Sequence, residues 1–103
     1  MTNTNQAAEF FVSQWGYEQT NVTFYKVLKR TAKMIVLIEV KNEIERIDWG
    51  NYLAMPTDEP TEWAEPLRRK IDVDRRGVEV ARIKSYAYAH KWDGEAVKGT
   101  DYY

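Results

Sequence analysis

The sequence has no cysteine and a single histidine, His90. The first absence excludes a disulfide framework, a thiolate zinc centre and a cysteine nucleophile. The second excludes multi-histidine metal sites and leaves only carboxylates as ligands for a hard cation such as magnesium. No acidic loop has the spacing of a cation site, so neither metal nor cofactor is expected. Long apolar runs are missing too, as is the basic-then-apolar start of a signal peptide, which points to a cytoplasmic protein that does not enter membranes. Asn21-Val22-Thr23 fits the glycosylation pattern, but without an export signal it reads as chance. Around His90 no Ser, Asp or Glu announces an orienting partner, and no nucleophile is paired with a base, so the expectation is a non-enzymatic protein.

What is present fits one small core. The chain has 103 residues, 44% hydrophobic and 14% aromatic; dividing that length would leave each part too little buried surface to offset the entropy of ordering it. The reading is a single domain over 1–103, with 1–8 as a loose tail. Net charge is −1 but uneven: residues 1–66 carry six Lys/Arg against ten Asp/Glu, residues 67–91 eight against three, and residues 92–103 one against three. Such a layout gives a face of one sign to a nearly neutral protein and permits a polar partner.

Hydrophobic periodicity points to strands. Gln6 to Trp15 fits a helical stripe through Ala7, Ala8, Phe11, Val12 and Trp15, or a strand from about Glu9 that closes at Gly16. Val22 to Lys29 and Met34 to Lys41 read as a hairpin, with Met34, Val36, Ile38 and Val40 on one face. Ile44 to Trp49 suggests another short strand. Pro56, Pro60 and Pro66 remove N–H donors, so 53–66 is expected as a long acidic loop. Leu67 to Val73 and Gly77 to Lys84 flank a turn at Asp74-Arg75-Arg76-Gly77, Ser85 to Trp92 continues as a strand, and Asp93-Gly94 signals a hairpin into a last strand between Glu95 and Tyr103. Five to seven short strands suggest a mainly β fold, a small antiparallel barrel or rolled sheet of which an SH3-like barrel is one form.

Three features suggest binding. Tyr86, Tyr88, His90 and Trp92 alternate with Ala87, Ala89 and Lys91, so a strand places four rings on one face. Facing out, they form a base-stacking row with Arg68, Arg69, Arg75, Arg76, Arg82 and Lys84 to hold phosphates; facing in, they fill the core. The acidic stretch from Glu39 to Glu65, with Glu59 and Glu62, is either a solvated loop or an imitation of a phosphate backbone. Trp63 within it is either an interface anchor or a lid over an open barrel end.

Trp15-Gly16-Tyr17-Glu18-Gln19-Thr20-Asn21-Val22, then Phe24-Tyr25-Lys26-Val27, resembles the opening of small uncharacterised proteins of tailed phages and prophages of Gram-positive bacteria. Ser85-Tyr86-Ala87-Tyr88-Ala89 with Trp92-Asp93-Gly94 resembles their ending, and Met55-Pro56 and Arg68-Arg69-Lys70 fall where they have a proline and a basic cluster. The resemblance covers most of residues 15–94 and carries no activity with it. It implies a phage accessory protein in the host cytoplasm that binds and inhibits a host protein or protein–nucleic acid complex, such as a CRISPR nuclease, with Trp15, Tyr17, Trp63 and the acidic loop as anchors. A single-stranded nucleic-acid-binding module and a minor virion component are the alternatives.

Overall fold

Alternating apolar and polar positions decide most of the strands. In the computed structural model, which describes residues 9–16, 20–84 and 87–100, the elements are β1 (Phe10–Trp15), β2 (Asn21–Arg30), β3 (Met34–Asp48), β4 (Asn51–Pro60), β5 (Leu67–Val73), β6 (Glu79–Lys84), β7 (Ala87–Lys91) and β8 (Val97–Thr100). They form one antiparallel sheet in the order β2-β1-β7-β6-β5-β3-β4-β8, and β2 pairs also with β3. That last pairing closes six strands into a ring, from which β4 and β8 extend. The fold is the mainly β rolled sheet that the periodicity predicts, and no described helix is long and apolar enough to cross a membrane.

β3 joins the two parts. Val36 pairs with Lys29 of β2 and Arg68 of β5, and Val40 with Phe24 of β2 and Pro60 of β4. Thus β5 and β4 lie end to end along one edge of β3, while β2 takes the other.

The sheet buries both faces where the two parts overlap. Phe11, Tyr25, Ile35, Leu37, Ala81, Ile83 and Ala89 fill the ring. On the opposite face of β1–β3, Val12, Val22, Phe24 and Val40 pack beneath Tyr52 and Ala54 of β4, with Phe10, Ile38, Trp92 and Val97 at the margin. Each fully buried large side chain stabilises by about 1.5–3 kcal/mol. A polar clasp holds the layer down: the Thr100 N–H donates to the Thr20 carbonyl (2.9 Å), the Thr20 N–H to Thr100 Oγ1 (2.7 Å), and Gln14 Nε2 to the Lys98 carbonyl (2.9 Å). The Tyr52 ring lies directly over Gly99, its cross-strand partner, where only a missing Cβ leaves room.

Burial on both faces explains the ambiguous opening segment. Phe10-Phe11-Val12 is a continuous apolar run because neighbouring residues enter different cores, and it forms a strand rather than a helix. Other expectations need correction. The segment 53–66 is a loop only from Thr61 to Pro66; the preceding ten residues are β4, whose prolines are tolerated because Pro56 and Pro60 flank an irregularity in its pairing with β3. Ile44 to Trp49 is not a separate strand: its first residues continue β3, and Trp49-Gly50 makes the turn, with Gly50 at φ 83°. Asp93-Gly94 does not close a hairpin, because β8 pairs with β4 and not with β7. The expected tail 1–8 lies outside the described residues.

Candidate functional site

Strand β7 decides the first expectation. Ala87 and Ala89 point into the core, so the ring-bearing positions face outward: Tyr88 is 53% exposed and His90 half-buried. Trp92, just past the strand, departs from the row. Its indole sits edge-on to Phe10 and Phe24 with ring centroids 5.8 Å away in each case, and Nε1 donates to the Glu95 carbonyl at 2.7 Å. The stripe is therefore divided between a solvent-facing Tyr88 and a half-buried Trp92. Tyr86 and Tyr17 lie outside the described residues.

The outer face of the ring gathers cations that are scattered in sequence. Lys29, Val36 and Arg68 form a row across β2, β3 and β5. In the next row Met34 pairs with Lys70, and Arg82 pairs with Tyr88; Lys70 and Arg82 are neighbours, each one residue beyond the paired Ile71 and Ala81. Arg68, Lys70 and Arg82 are exposed. Arg69 does not join them. It points to the ring interior, donating from Nη2 to the Ile83 carbonyl (3.2 Å) and from Nη1 to the Arg68 carbonyl (2.8 Å). Arg75 and Arg76 belong to the β5–β6 turn, where Asp74 accepts from the Arg76 and Val78 N–H groups (2.8 and 3.0 Å). Those bonds, the Val78 one foremost, hold the Asp74 carboxyl below its usual range.

An acidic edge occupies another surface. The Thr61 N–H donates to the Glu39 carbonyl (3.1 Å), tying the 61–66 loop to β3. Trp63 at the loop's apex is 92% exposed, which rules out the lid over a barrel end. Asp58 meets Lys26 at 3.4 Å and Glu59 meets Lys41 at 3.1 Å; Glu62 and Glu65 have no ion-pair partner among the described residues. Trp49 at the β3–β4 turn is 70% exposed, so the extended layer carries a second solvent-facing indole.

The third feature is a cavity of about 130 Å³ at the ring's end, bounded by Ser13 and Trp15 of β1, Thr23 and Tyr25 of β2, Glu39, and Lys84. Periodicity does not announce it. β6 carries an irregularity between Arg82 and Lys84, so that Arg82 pairs with the outward Tyr88 whereas Lys84 pairs with the inward Ala87. The irregularity turns Lys84 from the outer face toward the cavity, a common effect of a β-bulge. Trp15 is held by its indole N–H, which donates to Thr23 Oγ1 (2.9 Å). Burial pushes the Tyr25 hydroxyl up to about 12, with Glu39 adding to the shift and Arg69 opposing it. The phenol thus remains a neutral hydrogen-bond donor at physiological pH.

At the opposite end, Arg30 bridges Glu9 and Glu79 at 2.6 Å each. Hydrogen bonding to Arg30 holds the Glu79 carboxyl below its usual range, against the opposing effect of burial. No group of three or more metal-ligating side chains occurs among the described residues. Comparison with protein-family models, curated proteins and solved structures finds no match.

Proposed function

We propose that this chain is a non-enzymatic phage accessory protein that docks on a basic surface of a host nucleic-acid-processing protein and blocks it. The observation that carries the reading is Trp63, almost fully exposed and flanked by Glu62 and Glu65, which have no ion-pair partner among the described residues. A large apolar ring held in water is unfavourable unless a partner covers it, and tryptophan is prominent among residues that dominate interface energetics. Unpaired carboxylates around it steer association toward a positively charged partner and select against nucleic acid itself. The test is titration of the protein into cleavage reactions of purified CRISPR effector complexes. Inhibition should saturate near one protein per complex, fall at least tenfold with Trp63→Ala and survive Arg68→Glu. Absence of both inhibition and binding across the panel would sink this reading.

A second reading is supported by the outer cationic rows. Lys70 and Arg82 share a row with Tyr88, and Arg68 lies two residues along β5 from Lys70, so their attraction to phosphates and one ring's stacking act together on one face. Binding of single strands should then weaken steeply with salt, be lost in the Arg68→Glu/Lys70→Glu double variant, and be indifferent to Trp63→Ala. Mobility shifts at low salt decide it.

A further inference from the structure

We infer that the cavity at the end of the ring receives one pyrimidine base, a step that rests on the single-strand reading above. Ser13 is 1% exposed, and its Oγ has no hydrogen-bond partner among the described residues. An unpaired buried hydroxyl is costly, and such groups in folded proteins call for an explanation. This one lines a cavity, where an incoming group can satisfy it.

Size limits the occupant. A cavity of about 130 Å³ is close to the ~150 Å³ engineered cavity that takes benzene, so one six-membered ring fits and a fused purine exceeds the space. The wall chemistry narrows the choice again. Ser13 and Tyr25 present hydroxyls, Glu39 accepts, Lys84 donates, and the tethered indole of Trp15 supplies an aromatic wall. A cationic side chain would meet Glu39 but also Lys84, and would leave the hydroxyl donors unused; a simple anion would meet Glu39. A neutral ring bearing both donors and acceptors along one edge answers the Ser13 and Tyr25 hydroxyls and the Glu39 carboxylate together, and this is the pattern of a pyrimidine's pairing edge. Lys84 also connects the site to the outer cations. It follows Arg82 by two residues along β6, so a strand whose phosphates lie on the outer rows has a short path to the cavity.

The experiment compares fluorescently labelled dodecamers of dC, dT and dA, and cytidine monophosphate alone, by anisotropy at low salt. The pyrimidine strands should bind at least tenfold more tightly than the purine strand. Ser13→Ala should erase that preference while leaving Tm equal or higher, because it removes a buried hydroxyl with no partner among the described residues. Ala87→Val, which narrows the cavity from β7, should erase it too, and retention of the wild-type circular dichroism spectrum shows that either variant is folded. Arg68→Glu/Lys70→Glu should weaken all strands alike. Equal affinity for purine and pyrimidine strands, or a preference that survives Ser13→Ala, overturns the base site and leaves the single-strand reading standing. Cytidine monophosphate that binds, depends on Ser13 and gains nothing from being part of a strand upholds the cavity and overturns strand binding. No binding of strand or nucleotide overturns both.

Discussion

The two halves of β3 have similar apolar residues and opposite fates. In the first half, Ile35 and Leu37 are fully buried and Val40 nearly so, because strands flank both edges and a core lies on each face. In the second half Ile44 and Ile47 are 54% and 53% exposed, although they are no less hydrophobic. Burial here is conferred by the neighbours a strand acquires, and not by its own composition. The first half is scaffold. The second is surface, and its exposed apolar groups lie on the same extended layer as Trp49.

Substitutions can break or sharpen this contrast. Leu37→Ala should destabilise by about 2–5 kcal/mol, through lost transfer energy and the cavity left behind, while Ile44→Ala costs under ~1 kcal/mol. Paired urea denaturation curves measure both, and equal losses would erase the division of β3. Next in size is Gly99→Ala, expected to cost about 1–3 kcal/mol because the new Cβ collides with the buried Tyr52 ring and loosens the layer.

Arg30→Gln should cost about 1–2 kcal/mol by leaving Glu79 without its charged partner. The depressed Glu79 pKa adds stability above its unfolded value near 4.3, and this is lost as pH falls through the folded value. Wild type should therefore lose more stability than Arg30→Gln between pH 5 and 3, read from thermal melts. At the other end of the scale, the raised Tyr25 pKa leaves its contribution intact below pH 10 and removes it as pH rises toward about 12. Tyr25→Phe should flatten that alkaline slope. Ile47→Ser, the smallest perturbation, should fall within about 0.5 kcal/mol of wild type.

Strand content was legible in the sequence wherever one face is buried: β5 and β6 fall close to their expected bounds because alternation there is clean. It misled where that simple condition fails. Phe10-Phe11-Val12 serves two cores and so loses its period, and prolines at an irregular pairing imitate a loop. Of the suggested binding residues, Arg68, Tyr88, Glu59, Glu62, Trp15 and Trp63 are solvent-facing, whereas Arg69 turns inward and Trp92 helps close the second core. Nothing in the sequence signals that Ser13 Oγ lacks a partner among the described residues or that Lys84 is re-aimed. The first depends on strands brought together from distant parts of the described chain, the second on an irregularity between the consecutive strands β6 and β7.

The closure of the ring has a consequence for how the protein folds. β1 pairs locally with β2, but its other edge must wait for β7, where Phe11 meets Lys91. Contacts so distant in sequence slow folding, and until β7 inserts, the facing edges of β1 and β6 remain open to strand addition from a second copy. A strand of only five residues thus ends the period of greatest aggregation risk in a single docking event.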